Sequence, residues 1–232
     1  MAKPLMIFAA GFGTRMRPLT DNLPKPLIPI GPTTLLDHAL DLASEGGADP
    51  IIVNAHYLAG QISTHLSDRN LTVVEEKPQI LDTGGGLKNA LPLLQGESVA
   101  TLNADAAWSE PSALEQAWHH WDPSRMDALL LLVRTDRAEG HIGTGDVNMS
   151  ADGHLSFRSG ADADYVFTGL HICKRARILE VEDTVFSLKR VWETCVARGT
   201  LFGALYSGRW CDVGHPDAIP IAEQMILGQV HV

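Results

Sequence analysis

Between Leu5 and Val133, short apolar runs alternate with stretches of helical periodicity, and this alternation limits the possible folds more than any other feature of the chain. Leu5–Ala10, Ile51–Asn54, Leu71–Glu75, Val99–Asn103 and Leu129–Val133 read as buried strands. Between them, Thr33–Ser44 places Leu35, Leu36, Ala39, Leu40 and Ala43 on one helical face and stops at Gly46-Gly47. Leu58–Leu66, Gly84–Leu94 and Pro111–Trp121 also read as helical, with a glycine turn ahead of the second. Parallel strands need a crossover between neighbours, and apolar strands need cover on both faces. The pattern therefore predicts an α/β fold, a mostly parallel sheet with helices on both faces.

After Arg134 the pattern changes. Val147-Asn148-Met149, then Asp152-Gly153, then Leu155-Ser156-Phe157 reads as a hairpin with a tight turn. Tyr165–Cys173 and Leu201–Tyr206 read as further strands, on either side of a helix at Ser187–Arg198 that stops at Gly199. This is a small antiparallel insertion, about residues 140–175, that adds a lobe to the parallel core. No repeat or Pro/Ser-rich linker divides the chain, so residues 1–232 are expected to form a single domain.

Charge narrows the choice of partners. Lys and Arg number 18 against 28 Asp and Glu, a formal charge of −10, which argues against nucleic acid or an anionic membrane. Residues 1–30 run the other way, with Lys3, Arg15, Arg17 and Lys25 against Asp21, so they carry +3 and the remainder −13. A positive island on an acidic chain suits a small anion, although on charge alone a solvated basic loop is the better account. Cys173, Cys195 and Cys211 show no metal-ligand or disulfide spacing and are expected to be reduced structural thiols in a cytoplasmic protein. Met1-Ala2-Lys3 leads into an apolar run too short for a signal peptide, and no run approaches the roughly 20 apolar residues of a membrane span. Oligomeric state is open.

The chemistry-bearing loop follows the first strand. Gly11 and Gly13 let backbone N–H groups approach a phosphate at the carboxyl end of a strand. Arg15 adds a planar fork for bidentate contact, and Lys25 a point charge between Pro24 and Pro26. A dinucleotide fingerprint needs a third glycine where Met16 stands, and a P-loop motif is absent. A plain glycine turn explains Gly11 and Gly13 but not Thr14–Pro18 followed by Pro24-Lys25-Pro26.

The run G-F-G-T-R-M-R-P-L-T followed by P-K-P-L-I-P resembles the bipartite signature of the sugar-1-phosphate nucleotidyltransferase family. The resemblance implies a Rossmann-like core of the nucleotide-diphospho-sugar transferase type. In it Ala10, Gly11, Gly13 and Thr14 bind a nucleoside triphosphate, and Arg15 and Lys25 act catalytically on its phosphates. Leu81-Asp82-Thr83-Gly84-Gly85-Gly86 resembles the form found in N-acetylmuramate-1-phosphate uridylyltransferases of cell-wall recycling and in short mannose-1-phosphate guanylyltransferases. There Asp82, Gly84 and Gly85 would lie along the base and ribose.

Asp105 follows the strand Val99–Asn103, where a carboxylate is well placed for Mg²⁺, although a lone Asp there is more often a helix cap or turn residue. The resemblance implies that Asp105 holds the metal, although Ala104 stands where glycine is usual. Trp210-Cys211-Asp212-Val213-Gly214 resembles the family's W-x-D-x-G element and makes Asp212 the second metal carboxylate. The two can meet only through the folded sheet. Asn103, Gly145, Asp146, Thr168 and Gly169 fall where relatives contact the sugar 1-phosphate, and hairpin chemistry explains Gly145 and Asp146 equally well.

Two other readings stay open. A nucleotide-sugar-dependent glycosyltransferase usually carries D-x-D, but Asn103 stands two residues before Asp105 and the basic loop is left unexplained. A non-catalytic nucleotide sensor would bind a triphosphate without releasing pyrophosphate. His119-His120 has no third ligand at metal spacing and reads as helix surface, and Trp192 and Cys195 read as core.

Overall fold

A computed structural model describes residues 3–228. Met1, Ala2 and residues 229–232, the ends of the expected 1–232 unit, lie outside the described residues. In chain order the elements are β1 (Leu5–Phe8), β2 (Pro29–Ile30), β3 (Thr33–Thr34), α1 (Leu35–Glu45), β4 (Ile51–Ala55), α2 (Ala59–His65) and β5 (Thr72–Glu75). Next come α3 (Asp82–Ala90), β6 (Ser98–Asn103), β7 (Ala106–Trp108), α4 (Ala113–His120), β8 (Ala128–Arg134), β9 (Ala138–Glu139), β10 (Val147–Met149) and β11 (Leu155–Phe157). The chain ends with β12 (Tyr165–Lys174), α5 (Arg175–Leu179), α6 (Leu188–Arg198), β13 (Leu201–Leu205), β14 (Trp210–Asp212) and α7 (Ile219–Leu227).

β1 pairs in parallel with β4 on one side and β6 on the other, and β5 extends the sheet beyond β4. Side chains along β1 alternate between two cores, as the period of two in a strand requires. Leu5 and Ile7 join one cluster with Leu36, Leu40 and Leu114, beneath α1 and α4. Met6 joins the other with Leu87, Ile178 and Val191, beneath α3, α5 and α6. The sheet is therefore mostly parallel and covered on both faces.

Local signals set the helix ends. Thr34 caps α1 by accepting from the Asp37 amide, and the Asp37 carboxylate accepts from the Thr34 amide, a reciprocal box. Ser187 caps α6, and Gly199 ends it at φ 65°, a left-handed conformation in which a side chain is costly.

Two sequence expectations are corrected. The strand at 165–173 was assigned to an added lobe, but β12 runs inside the central sheet, antiparallel between β6 and β8. Only the β10–β11 hairpin extends outward, joined to β12 through Val147 and Tyr165. Nothing local marks this, because a buried antiparallel strand and a buried parallel one both read as apolar runs. The second correction concerns the glycines. α3 begins at Asp82, two residues before the expected start at Gly84, so no glycine turn precedes it and Gly84, Gly85 and Gly86 lie within its first turns. A Cβ on Gly84 would sit 2.3 Å from the Phe186 ring, and one on Gly85 2.2 Å from the Thr184 carbonyl oxygen. They let α3 press against the segment leading into α6.

His171 on β12 is fully buried between the sheet and α6, against Trp192 and Phe167. Its Nδ1 shares a hydrogen bond with the Thr101 hydroxyl, and burial pushes its pKa down to about 3. Between that value and the unfolded value of 6.5, the unfolded chain binds a proton that the folded chain refuses. Stability is therefore expected to fall as pH drops below 6.5, by up to about 1.4 kcal/mol per pH unit from this group. Denaturant unfolding between pH 7 and 5 measures this. His171→Leu should start less stable and show a shallower slope, and equal slopes would remove His171 as the cause.

Candidate active site

The loop after β1 is shaped by residues on both of its sides. Gly13 sits at φ 63°, and a Cβ there would lie 2.9 Å from Lys25 Cβ and 3.0 Å from Thr20 Cγ2. The Thr20 hydroxyl donates to the Gly13 carbonyl at 2.8 Å and ties the loop closed. Gly11 is different, since a Cβ on it would meet no atom within 4 Å. Its bare backbone faces open space and leaves room for a ligand to approach. Met16, where a dinucleotide loop would carry its third glycine, is fully buried with Ile28, Leu35, Cys211 and Val213. It anchors the Thr14–Met16 turn and leaves its neighbour Arg15 exposed.

Three adjoining cavities meet below the loop. The first, about 280 Å³, has Ala10, Gly11, Gly13 and Lys25 on one wall and Asp82 and Thr83 on another, with Asn54 and Glu76 between them. The second, about 190 Å³, lies against Thr14, Arg15 and Gly214. The third, about 160 Å³, is bounded by Asn103, His141, Asp146, Thr168, Gly169 and Asp212. Asp105 lines all three. Lys25, only 8 % exposed, donates from Nζ to Asp105 Oδ2 at 2.8 Å.

The sheet unites the two carboxylates. β14 runs antiparallel to β7, with Asp212 opposite Ala106, and the Val213 amide donates to the Asp105 carbonyl at 3.0 Å. Asp212 Oδ2 lies 3.3 Å from His141 Nδ1. Among the described residues no group of three or more His, Cys, Asp or Glu forms a complete metal cage. Two hard carboxylates on an open cavity wall suit Mg²⁺, which keeps several waters and takes its other ligands from substrate phosphates. The donor set fits a magnesium ion that arrives with a triphosphate.

Of the residues proposed from sequence, Ala10, Gly11, Gly13, Thr14, Arg15, Lys25 and Asp82 all face these cavities. Asp82 adopts φ 60°, and its Oδ1 accepts from the Thr83 amide at 2.6 Å. Gly84 and Gly85 do not fit the role given them, because both amides donate to the Phe186 carbonyl, at 2.8 and 3.0 Å, and their open faces are filled. Their closeness serves the chain's own packing.

Asn103, Asp146 and Gly169, assigned from sequence to the sugar, line one cavity together. A Cβ on Gly169, which has φ 91° and lies where β12 slips its register, would sit 2.8 Å from Asn103 Cβ. Asp146 is held by the Phe167 amide on its Oδ2 at 2.9 Å. Thr168 lines the same cavity, but its hydroxyl donates to the Leu131 carbonyl at 2.7 Å and is 1 % exposed as a residue. That hydroxyl is not available to a sugar. Gly145 lies away from the cavity, with the Ala163 carbonyl oxygen 2.2 Å from where a Cβ would be.

Sequence reasoning missed Asn54, Glu76 and His141. A polar residue ending the buried run Ile51-Ile52-Val53-Asn54 was the available signal for the first. The other two gave none.

The His119-His120 pair is exposed at the end of α4, and Cys195 is fully buried, both as read from sequence. The three cysteines are free and buried, and burial pushes the Cys195 thiol up to about 11 and the Cys211 thiol up to about 12. Among the described residues no helix is long and apolar enough to cross a membrane.

Residues 5–207 match the family described as the MobA-like NTP transferase domain. An N-acetylmuramate alpha-1-phosphate uridylyltransferase from Caulobacter vibrioides is 39% identical, covering 95% of this chain and 96% of that protein. One of the same description from Neisseria meningitidis serogroup B is 30% identical over 90% of this chain and 92% of its own length. Among solved structures, the inositol-1-phosphate CTP transferase from T. maritima superposes with a TM-score of 0.79 at 18% identity, covering 97% of this chain and 95% of that one. That likeness concerns the fold.

Proposed function

The chain is a sugar-1-phosphate nucleotidyltransferase of the MobA-like NTP transferase domain family, and from that premise we propose that it joins UTP to N-acetylmuramate 1-phosphate, forming UDP-N-acetylmuramate and pyrophosphate. The observation that carries the site assignment is Asp105, common to all three cavities with Arg15 and Lys25 beside it. The triphosphate lies under Gly11 and Gly13, with its base and ribose toward Asp82, and the sugar lies beside Asn103, Asp146 and Gly169.

The reaction forms a bond between an oxygen of the sugar phosphate and the α-phosphorus of UTP. It breaks the bond from that phosphorus to the bridging oxygen, and pyrophosphate leaves with the electron pair. The attacking oxygen is already anionic, so no general base is required. What the protein must do is bring two polyanions together and stabilise charge on the leaving group. Arg15 and Lys25 meet the phosphates. Asp105 and Asp212 would hold Mg²⁺, which neutralises phosphate charge and orients the oxygens. Buried, unbridged thiols, together with the proposed use of UTP, support a cytoplasmic location.

A pyrophosphate-release panel tests the reading by crossing the four common ribonucleoside triphosphates with the 1-phosphates of N-acetylmuramate, N-acetylglucosamine, mannose and glucose. UTP with N-acetylmuramate 1-phosphate should give the highest kcat/KM. A maximum at GTP with mannose 1-phosphate would make the protein a guanylyltransferase. Triphosphate binding without pyrophosphate release from any pair would make it a sensor, and turnover of an intact nucleotide sugar alone would make it a glycosyltransferase.

A further inference from the structure

Beneath the first of these cavities lies a buried polar relay that the reaction scheme does not use. Glu76 follows β5 and is 1 % exposed, and Asn54 on β4 is 3 % exposed. The Ala9 amide, at the end of β1, donates to Asn54 Oδ1 at 2.8 Å. Asn54 Nδ2 donates to Glu76 Oε1 at 2.7 Å, and the Leu81 amide donates to Glu76 Oε2 at 2.7 Å. The relay therefore runs from the root of the Gly11–Gly13 loop to the turn that presents Asp82. These are opposite walls of one cavity. Gly86 belongs to the same device, since a Cβ on it would lie 2.5 Å from Glu76 Oε1.

A carboxylate is costly to bury unless its oxygens are satisfied. Here each accepts one N–H, and Leu81 is the residue ahead of α3, whose N-terminus favours a negative charge. A purely structural filler could be apolar at this position. Two donors fixed from two different walls instead set the distance between those walls.

We propose that Glu76 is a positioning residue for the nucleotide, acting through Asn54 on the Ala9–Gly13 loop and through the Leu81 amide on the Asp82–Thr83 turn. The inference rests on the nucleotidyltransferase reading above. It concerns the triphosphate side of the site, so the sugar side should be indifferent to it.

The donor and acceptor pattern supplies the test. Glu76→Gln turns an amide NH₂ toward the Asn54 NH₂, and Asn54→Asp sets a carboxylate against a carboxylate. The exchange Asn54→Asp/Glu76→Gln restores every match, because Asp accepts from Ala9 and from the Gln amide while the Gln oxygen accepts from Leu81. Steady-state kinetics with the best pair of the panel, together with a melting temperature, read the outcome. Losing one charge-assisted bond should raise KM for the triphosphate about tenfold or more in each single variant. KM for the sugar 1-phosphate should stay within about twofold, and the exchange variant should return to near the wild-type KM.

Three results would overturn the proposal: an unchanged triphosphate KM in Glu76→Gln, equal rises in both KM values, or an exchange variant no better than Glu76→Gln. The last comparison decides the matter even if Asn54→Asp does not fold. A wild-type protein inactive across the whole panel would overturn the transferase reading and this inference with it. An active wild type with an indifferent Glu76→Gln would overturn this inference alone.

Discussion

Asp105→Ala should all but remove pyrophosphate release, with kcat/KM falling about a hundredfold or more, while the melting temperature moves by a few degrees at most. The size of the loss follows from the position of the residue. Asp105 borders the space under the glycine loop, the space beside Arg15 and the space beside Asp212, so a charge held there acts on both substrates at once. Preorganised charge contacts of this kind are worth about 3 kcal/mol or more in a site shielded from water.

The small cost in stability follows from what remains. The Asp105 carbonyl still accepts from Val213, so the β7–β14 junction keeps its hydrogen bond. The Asp105 carboxylate is about one-third exposed, and Lys25, though largely buried, borders two water-accessible cavities, so losing the pair should cost about 1 kcal/mol. Asp105→Asn separates the two effects by keeping the shape and removing the charge. Isothermal titration with Mg²⁺ and a non-hydrolysable triphosphate supplies the independent readout. Wild-type turnover in either variant would end the assignment of Asp105 as a metal carboxylate.

Lys25→Met should lower kcat by about 10²–10³ with a smaller change in binding of the sugar 1-phosphate. The side chain lies on a turn between Pro24 and Pro26, with its amine 2.8 Å from Asp105 and its Cβ packed near Gly13. Lys25 is buried and borders two of the cavities, so methionine can replace the packing and loses only the charge. A positive charge under the loop is needed most as negative charge builds on the departing pyrophosphate, so the loss should fall on kcat more than on KM. Rapid-quench single-turnover measurement distinguishes slow chemistry from slow release. An unaltered chemical step would show that Lys25 serves only the fold, as the partner of Asp105. Arg15, exposed and with no ion-pair partner among the described residues, should be the milder case.

Much of this was legible in the sequence where the information is local. The alternation of apolar runs marked β1, β4, β6 and β8 to within one or two residues, because burial on both faces needs apolar side chains at successive positions. Capping residues bounded α1 and α6 for the same reason, as each satisfies backbone groups within one turn of itself. The basic glycine loop and the two acidic motifs were visible as types and order of residues. Their agreement with the family carried the chemistry further than charge or glycine content could.

What the sequence determined by itself was the inventory: an α/β chain with a phosphate-type loop, a strand-end Asp105 and a late Asp212. Tertiary structure alone decided which of these lie together and which glycines face a cavity. Gly11 opens on a cavity while Gly84 and Gly85 close on Phe186 and Thr184, although all three look alike in one dimension. Lys25 reaches Asp105 across 80 residues, and Asn54 reaches Glu76 across 22. The physical reason is range. Periodicity and caps are settled by neighbours along the chain, whereas the partner of a buried polar atom is settled by whatever the sheet register brings within 3 Å of it.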